Sequence, residues 1–293
     1  VFGLIAIGCT LKQLVFKSPS FWDPIEKLTY YVLFPALLVA SMAQARVAGP
    51  TIIPAAAVLA AVTVALLALL TGLRPLLRID GPAYSAVVQG AIRFNTYVGL
   101  AAAAALYGRQ GTALLAILLA LMVPLSNIVS VIALTRHAGG DSSWRGLLLE
   151  LASNPLILAS IVGLSLSMTH TVLPALVTTM LDALGRAALS LGLLAVGAGL
   201  SLGALTANST AVGMSVVLKL IVYPLLAALG CELLDLEPLA RAVVILFAAL
   251  PPAPSAFVLT RRLGGDHALM AGIITIQTIL AALSVPLALA LLS

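Results

Sequence analysis

The feature that most constrains this chain is a long apolar run interrupted by three closely spaced prolines. The run extends from Arg241 to Arg262, long enough to cross a bilayer, and Pro251, Pro252 and Pro254 lie at its middle. Each proline lacks a backbone donor and clashes with the preceding turn, so an unbroken helix is not expected. Because unsatisfied backbone groups cannot face lipid, the break must lie inside protein or line a polar cavity. Such broken helices are typical of transporter substrate sites, and a proline kink in a structural helix is the alternative.

Composition places the chain among membrane proteins. Hydrophobic residues make up 62% of its 293 residues and charged residues only 9%, whereas soluble domains carry about 25% charged residues. The net charge of +5 does not indicate nucleic acid, since no basic patch with interleaved aromatic residues is present. The cysteines and histidines lack metal-ligand spacing, and no catalytic triad pattern occurs. We therefore predict an all-α polytopic membrane protein with no metal, no cofactor and no enzyme activity.

Ten apolar segments, separated by glycine and proline, predict ten transmembrane helices. They run 1–15, 25–43, 50–72, 84–107, 112–135, 146–168, 183–205, 208–231, 239–261 and 268–292. Predicted helix 1 is too short to span a bilayer, so we expect that it is truncated and that roughly ten residues precede Val1. Residues 170–182 are predicted to form an interfacial or re-entrant connection.

The two halves of the sequence resemble one another. Gly108 lies 13 residues after Asn95, and Gly264 lies 13 residues after Pro251. We predict two five-helix repeats, 1–135 and 146–293, joined by a cytoplasmic connection at 136–145; an odd number of helices inverts the second repeat. Lys and Arg favour alternate loops by nine to three, which places both termini on the extracytoplasmic side.

Polar residues occupy the first repeat where the proline motif lies in the second. In the stretch GAIRFNTYVG, at 90–99, Arg93, Asn95 and Thr96 interrupt an apolar helix. An arginine at this depth costs at least about 2.5–3.5 kcal/mol unless it is paired or hydrated; a snorkelling or salt-bridged Arg93 near the membrane boundary is the alternative. The Asn95 amide can donate to a carboxylate. With the three prolines and Ser255, these residues are candidates for substrate binding.

The charged residues inside the predicted helices indicate the sign of the substrate. Lys219 either supplies positive potential to the site or bonds backbone carbonyls freed around Pro224. Asp182 and Arg186, four residues apart, are predicted to pair on one helix face, and Glu150 is expected near a helix end. Since the deep charges are basic and none is clearly acidic, we predict an organic anion rather than a cation.

Polar residues on two further helices are candidates for a coupling-ion site or for helix support. They are Ser126, Asn127, Thr275, Gln277 and Thr278. Hydroxyl and amide side chains also hold membrane helices together, so both roles stay open. Four glycines are predicted to permit close helix packing rather than ligand contact: Gly192, Gly197, Gly199 and Gly203.

Several stretches resemble, in order, the auxin efflux carrier family. They are FNTYVGLAAAAALYG, VPLSNIVSVIAL, SNPLILASIVGL, SLGLLAVGAGLSL, LKLIVYPLLA and LPPAPSAFVLTRRLGGDHAL. The resemblance covers essentially the whole chain. It is closer to a bacterial member, because the short connection 136–145 stands where many plant members have a long cytoplasmic loop.

The resemblance implies ten helices in which broken helices 4 and 9 cross at the substrate site. It also implies a scaffold domain from helices 1, 2, 6 and 7 and a transport domain from helices 3–5 and 8–10. Plant members have a proline at the helix 4 crossover, where this chain has Phe94 and Thr96. The positions that match the crossover are Asn95, Pro251, Pro252, Pro254 and Ser255.

The sequence therefore predicts an elevator-type secondary carrier or uniporter in the bacterial cytoplasmic membrane. Its substrate is a small mono- or dicarboxylate of the auxin, malate or malonate class. A sodium-coupled carrier resembling the bile acid symporters is the leading alternative, and a non-transporting membrane sensor is the alternative from a different class. Coupling to Na⁺ or H⁺ and formation of a homodimer stay open.

Overall fold

The computed structural model of the chain describes residues 1–44, 49–77, 79–139, 153, 155–169, 171–201 and 209–293. Within these ranges every regular element is helical and no residue forms a strand. The prediction of an all-α protein is confirmed for the described part of the chain. The predictions for Glu150, Gly203 and residues 140–145 fall outside these ranges.

The described residues form thirteen α-helices and two π-helical turns. The α-helices are α1 (Phe2–Leu14), α2 (Pro19–Leu28), α3 (Phe34–Gln44), α4 (Gly49–Leu77), α5 (Gly81–Ile92), α6 (Thr96–Ala138), α7 (Pro155–Met168), α8 (Ala175–Ala198), α9 (Ser209–Val217), α10 (Tyr223–Leu233), α11 (Pro238–Ala249), α12 (Ser255–Arg262) and α13 (His267–Leu292). The π turn Thr29–Leu33 joins α2 to α3, and the π turn Leu218–Val222 joins α9 to α10.

Six helical stretches of the described chain are long and apolar enough to cross a membrane. They are Ser20–Ala43, Pro50–Pro75, Gly81–Ala138, Ala175–Ala198, Ser209–Leu233 and His267–Leu292. The helices α1, α7 and α11 are apolar but shorter. The arrangement of ten spans as two inverted repeats stays a prediction.

Predicted helices 4 and 9 are both broken. The first break separates α5 from α6, and the backbone of Arg93 is extended there, with ψ 156°. The second separates α11 from α12, where Leu250 has ψ 134°. The first break forms although no proline lies in it.

A glycine divides α6 into two helices. Gly108 has φ 58° and ψ −149°, a conformation that glycine adopts without the steric cost of a side chain. The helical residues before it, 96–107, complete predicted helix 4, and those after it, 109–138, form predicted helix 5. The sequence-based boundary at Gly108 is therefore confirmed.

Two predicted boundaries are wrong. The segment 170–182 is helical from Ala175 onward, because α8 begins there, eight residues earlier than predicted. Similarly, α2 begins at Pro19 instead of residue 25, with the Ser18 hydroxyl accepting from the Ser20 amide at its N-terminus. A boundary taken from hydropathy alone falls too late for α2, because charged residues in its first turns lower the local hydropathy. The proline at residue 19 is the better signal, since proline is favoured at the first helical position.

The described chain divides into two compact units. The first contains Val1–Ile52, Tyr97–Ala120 and Leu148–Gly199. Within it, α8 packs against α1 and α3, and α3 also packs against α7. A Cβ on Gly197 would collide with the backbone carbonyl of Ile5, and one on Gly192 would meet the Phe34 ring at 2.8 Å. The predicted packing role of these two glycines is confirmed.

The second unit contains Ile53–Thr96, Leu121–Leu147 and Leu200–Ser293. Its most buried helices are α5 and α11, in which residues 83–92 and 242–249 are all buried. A helix that is buried all round lies in protein interior. The helices that lead into both breaks are therefore enclosed by protein, as unsatisfied backbone in a membrane requires. Every candidate site residue belongs to this unit.

Candidate functional site

Arg93 brings the two helix breaks together. It is the first residue after α5, and its Nη2 donates to Oγ of Ser255, the first residue of α12, across 3.3 Å. Its Nη1 donates to Oγ of Ser130 on α6 across 3.4 Å. The half-buried guanidinium thus joins the first break, the end of the second and a third helix of the same unit.

An aromatic pair lies beside this contact. The rings of Phe94, in the first break, and Phe247, on α11 just before the second, have centroids 4.5 Å apart at 49°. Both side chains are buried. Tilted aromatic pairs at this distance contribute about 0.5–1.5 kcal/mol beyond their buried area, so the pair fixes the two breaks against each other on their apolar side.

The remaining predicted residues of the breaks differ in exposure. Asn95, Pro251 and Pro252 are buried. Thr96 and Pro254 are half-buried, and Ser255 is exposed. The breaks therefore contain buried, half-buried and exposed residues, and the Arg93 side chain is half-buried.

Two helix N-termini begin at the breaks and give the site a positive electrostatic potential. The α6 helix starts at Thr96 and α12 at Ser255, with no acidic residue in the first turn of either. No side chain caps the N-terminus of α12. First-turn amides lack intrahelical partners and carry the positive end of the helix dipole. With a guanidinium added, the arrangement suits an anionic group.

Buried amides hold the halves of the broken helices in place. Nε2 of Gln277, on α13, donates to the Gly90 carbonyl at 3.2 Å and to Ser215 Oγ at 2.8 Å. Nε2 of Gln89 donates to Oγ1 of Thr260 on α12 at 2.8 Å. The last turn of α5 is thus bound to α9, α12 and α13. These contacts favour helix support as the role of Gln277.

The other candidates for a coupling-ion site or for helix support do not share hydrogen-bond partners with Gln277. Thr275 Oγ1 accepts from the Ser201 amide at 3.0 Å, and Thr278 is buried. The Ser126 carbonyl accepts from the Ser130 hydroxyl at 2.7 Å, and Asn127 is half-buried. It is Ser130, one turn beyond the predicted Ser126, that contacts Arg93.

Sequence reasoning missed four residues that position the site. They are Gln89, Ser130, Ser215 and Thr260. Gln89 could have been found as the single amide in the apolar run VVQGAI, four residues before Arg93. The three hydroxyl residues give no such signal, because serine and threonine are common throughout membrane helices.

Lys219 is completely buried, and one prediction about it is wrong. It lies in the π turn Leu218–Val222, with Nζ 4.2 Å from the centroid of the Tyr223 ring and no hydrogen-bond partner within the described chain. It does not bond carbonyls freed around Pro224. The Tyr223 amide donates to the Leu218 carbonyl in the wider π turn.

The predicted pairing of Asp182 with Arg186 is also wrong. Asp182 Oδ2 accepts from Arg109 Nη2 at 2.9 Å, within the first unit. Arg109 directly follows the bend at Gly108. A pairing between two different helices cannot be predicted from residue spacing along one helix. The described residues contain no group of three or more His, Cys, Asp or Glu side chains that could hold a metal ion.

Comparison with protein families gives a match to a family described as membrane transport protein, over residues 1–289. The matched region includes both helix breaks and all the residues that support them. A comparison with curated proteins gives no match.

Proposed function

Since the chain belongs to the auxin efflux carrier family of membrane transport proteins, we propose that it carries a small organic anion by alternating access. The chain is a membrane transporter and an integral membrane protein. The proposed substrate is a mono- or dicarboxylate of the auxin, malate or malonate class. The proposed location is the cytoplasmic membrane of a bacterium, with both termini extracytoplasmic.

The contact between Arg93 and Ser255 carries this proposal. Arg93 contacts the first residue of α12 and lies three residues before the start of α6, so we propose that its guanidinium and the positive ends of helix dipoles act on the same anion. Arg93 and the Asn95 amide are the proposed donors to a substrate carboxylate. The positive end of the α12 dipole adds to them.

The distribution of buried charge supports an anion over a cation. Among the described residues, Lys219 is the buried charged side chain, and no carboxylate is buried. Intramembrane acidic side chains commonly mark the pathways of cations. Among the described residues, no Asp or Glu side chain is buried.

The division into compact units supports an elevator-type mechanism. In the first unit, α1, α3, α7 and α8 pack together, and these helices correspond to predicted helices 1, 2, 6 and 7. The unit differs from the predicted scaffold in that it also contains Tyr97–Ala120, from predicted helices 4 and 5. The second unit contains both breaks and the candidate site residues. In the proposed mechanism, the first unit is the scaffold and the second carries the anion.

A thermal-shift experiment tests where the anion binds. The purified protein is heated with indole-3-acetate, malate or malonate, and the same is done for Asn95→Ala. A ligand at about 100 times its dissociation constant stabilises the folded state by about 2.7 kcal/mol. Gln110→Ala is the matched control, since it removes an exposed amide from the part of α6 that follows the bend at Gly108, outside both breaks. A shift that is lost in Asn95→Ala and kept in Gln110→Ala is expected.

Counterflow into liposomes separates transport from binding. Liposomes preloaded with one of these acids should take up the same radiolabelled acid only when they contain the protein. Binding without counterflow would indicate a sensor, and a shift that survives Asn95→Ala would place the anion away from the first break.

A further inference from the structure

Two helices of the second unit end in arginines that have no ion-pair partner. Arg74 lies in the last turn of α4, and Arg136 lies in the last turn of α6. Both side chains are exposed, and neither forms a salt bridge with a described residue. The described part of the chain therefore leaves both positive charges without a counter-ion.

The ring of Tyr84, on α5, connects the two helix ends. The guanidinium carbon of Arg74 lies 5.2 Å from the centroid of this buried ring. The His137 ring meets the same ring at 85°, with the two centroids 5.0 Å apart. A guanidinium over an aromatic face is attracted by the negative charge of that face. Arg74 is therefore held in place near His137, which directly follows Arg136 in the chain.

Close backbone packing fixes the helices that carry these groups. A Cβ on Gly81, the first residue of α5, would collide with the backbone carbonyl of His137, so the start of α5 lies directly against the end of α6. The positive charges of Arg74 and Arg136 both act on the His137 ring. The ends of α4 and α6 thus bring two guanidinium groups to the surroundings of one imidazole.

The carboxylates at this end of the unit cap helices instead of pairing with the arginines. Asp80, just before α5, accepts from the Ala83 amide at 2.9 Å. Asp266, just before α13, accepts from the Leu269 amide at 2.9 Å, and its own amide donates to the Pro82 carbonyl. Each carboxylate thus interacts with the positive end of its own helix. A negative partner for the two arginines has to come from outside the described residues.

The surface that leads up to these arginines is apolar. Arg74 ends the stretch Pro50–Pro75, which is able to cross a membrane, and Val64 and Leu69 are exposed on the same helix. Arg136 lies at the end of a second such stretch. Basic side chains at the ends of apolar helices lie at the level of the lipid headgroups. A phospholipid has acyl chains for the apolar surface and a phosphate for the arginines, whereas a soluble acidic partner fits the charges alone.

We propose that Arg74 and Arg136 bind the phosphate group of an anionic phospholipid. Guanidinium groups bind phosphate oxygens through two parallel hydrogen bonds, and the Tyr84 ring positions Arg74 for this contact. The headgroup then bridges the ends of α4 and α6 and stabilises the second unit. Anionic lipids of the cytoplasmic leaflet attract basic residues, which agrees with the predicted cytoplasmic side of both arginines. This inference does not depend on which substrate the protein carries.

Native mass spectrometry measures the lipid that stays bound. The purified protein in detergent is titrated with phosphatidylglycerol or phosphatidylcholine, for the wild type, Arg74→Gln, Arg136→Gln and the double variant. One basic side chain near the surface is worth a factor of about five in binding an anionic lipid. Binding of phosphatidylglycerol should therefore weaken about fivefold in each single variant and further in the double variant, with phosphatidylcholine unchanged. Arg186→Gln is the matched control, since it removes an exposed arginine from α8 in the first unit.

Thermal shift separates a lipid site from a site for free phosphate. Phosphatidylglycerol should raise the melting temperature of the wild type more than that of the double variant, and the difference should shrink as salt is added. Glycerol 3-phosphate carries the charge without acyl chains and should give a much smaller shift. An equal shift with glycerol 3-phosphate would overturn the lipid as ligand, and phosphatidylglycerol binding that is unchanged in the double variant would overturn the site. Arg136→Gln alone carries the test should Arg74→Gln not fold.

Discussion

Arg93 Nη2 and Ser255 Oγ lie 3.3 Å apart although the two residues are 162 positions apart in the chain. Each belongs to a different helix break, so the contact exists only when both breaks have formed and lie together. The guanidinium holds this position with Ser130 as its second partner. Binding and folding at the site can therefore be separated by changing Arg93 while keeping its charge.

Arg93→Lys should weaken anion binding with little effect on melting temperature. Lysine keeps the charge but lacks the planar fork that reaches two hydroxyl groups at once. One hydrogen bond to a charged group is worth about 1.5–3 kcal/mol, and a half-buried group falls at the lower end, which is about tenfold in affinity. Titration with malonate, followed by thermal shift, measures the change. The exposed Arg261→Lys on α12 is the control, and an equal loss there would contradict the prediction.

Gly90→Ala should destabilise the second unit, because α9 approaches Gly90 closely. A Cβ at this position would collide with Ser215 Oγ and lie 2.6 Å from Ile273 Cγ2. Overpacking of this kind costs about 1–3 kcal/mol. Gly213→Ala, on α9, is the matched control: nothing lies within 4 Å of its Cβ, and alanine is about 0.8–1.0 kcal/mol better than glycine within a helix. The melting temperature should fall for Gly90→Ala and rise for Gly213→Ala. A Gly90→Ala variant as stable as the wild type would contradict the close approach of α9 to Gly90.

The second break could be predicted from the residues themselves, and the first only from the resemblance to the auxin efflux carrier family. Three prolines mark residues 251–254, and proline chemistry alone requires an interruption there. Residues 93–95 carry no proline, yet α5 ends at Ile92. The polar residues Arg93 and Asn95 stand at the position of the first repeat that corresponds to the proline motif of the second, and the break lies at these residues.

Contacts that depend on a local change of helix type or on distant segments could not be predicted. The sequence showed Lys219 inside a span, but the π turn and the Tyr223 ring against Nζ depend on a local change of helical register. Asp182 was assigned to Arg186 because spacing along a helix shows only neighbours on that helix. Its partner, Arg109, comes from another helix.

Gln277 and Ser215 should show a measurable interaction in a double-mutant cycle. Their hydrogen bond of 2.8 Å is buried in the second unit, and interhelical hydrogen bonds in membranes contribute about 0.6 kcal/mol on average and about 1.7 kcal/mol at most. Unfolding of Gln277→Leu, Ser215→Ala and the double variant measures the coupling. Thr278→Val is the control, because the Thr278 hydroxyl is buried without a partner and its removal should be neutral or stabilising. A coupling of zero would contradict the hydrogen bond between α13 and α9.

Asp182 should couple to Arg109 and not to Arg186. The pair with Arg109 is partly exposed, with side-chain exposures of 53% for Arg109 and 30% for Asp182, so screening limits its contribution to about 0.2–1 kcal/mol. Double-mutant cycles of Asp182→Asn with Arg109→Gln and with Arg186→Gln, read as melting temperatures at low and high salt, compare the two assignments. The first coupling should weaken as salt is added, and the second should be absent. Salt-sensitive coupling to Arg186 instead would restore the pairing predicted from spacing and would mean that the bend at Gly108 does not direct Arg109 toward α8.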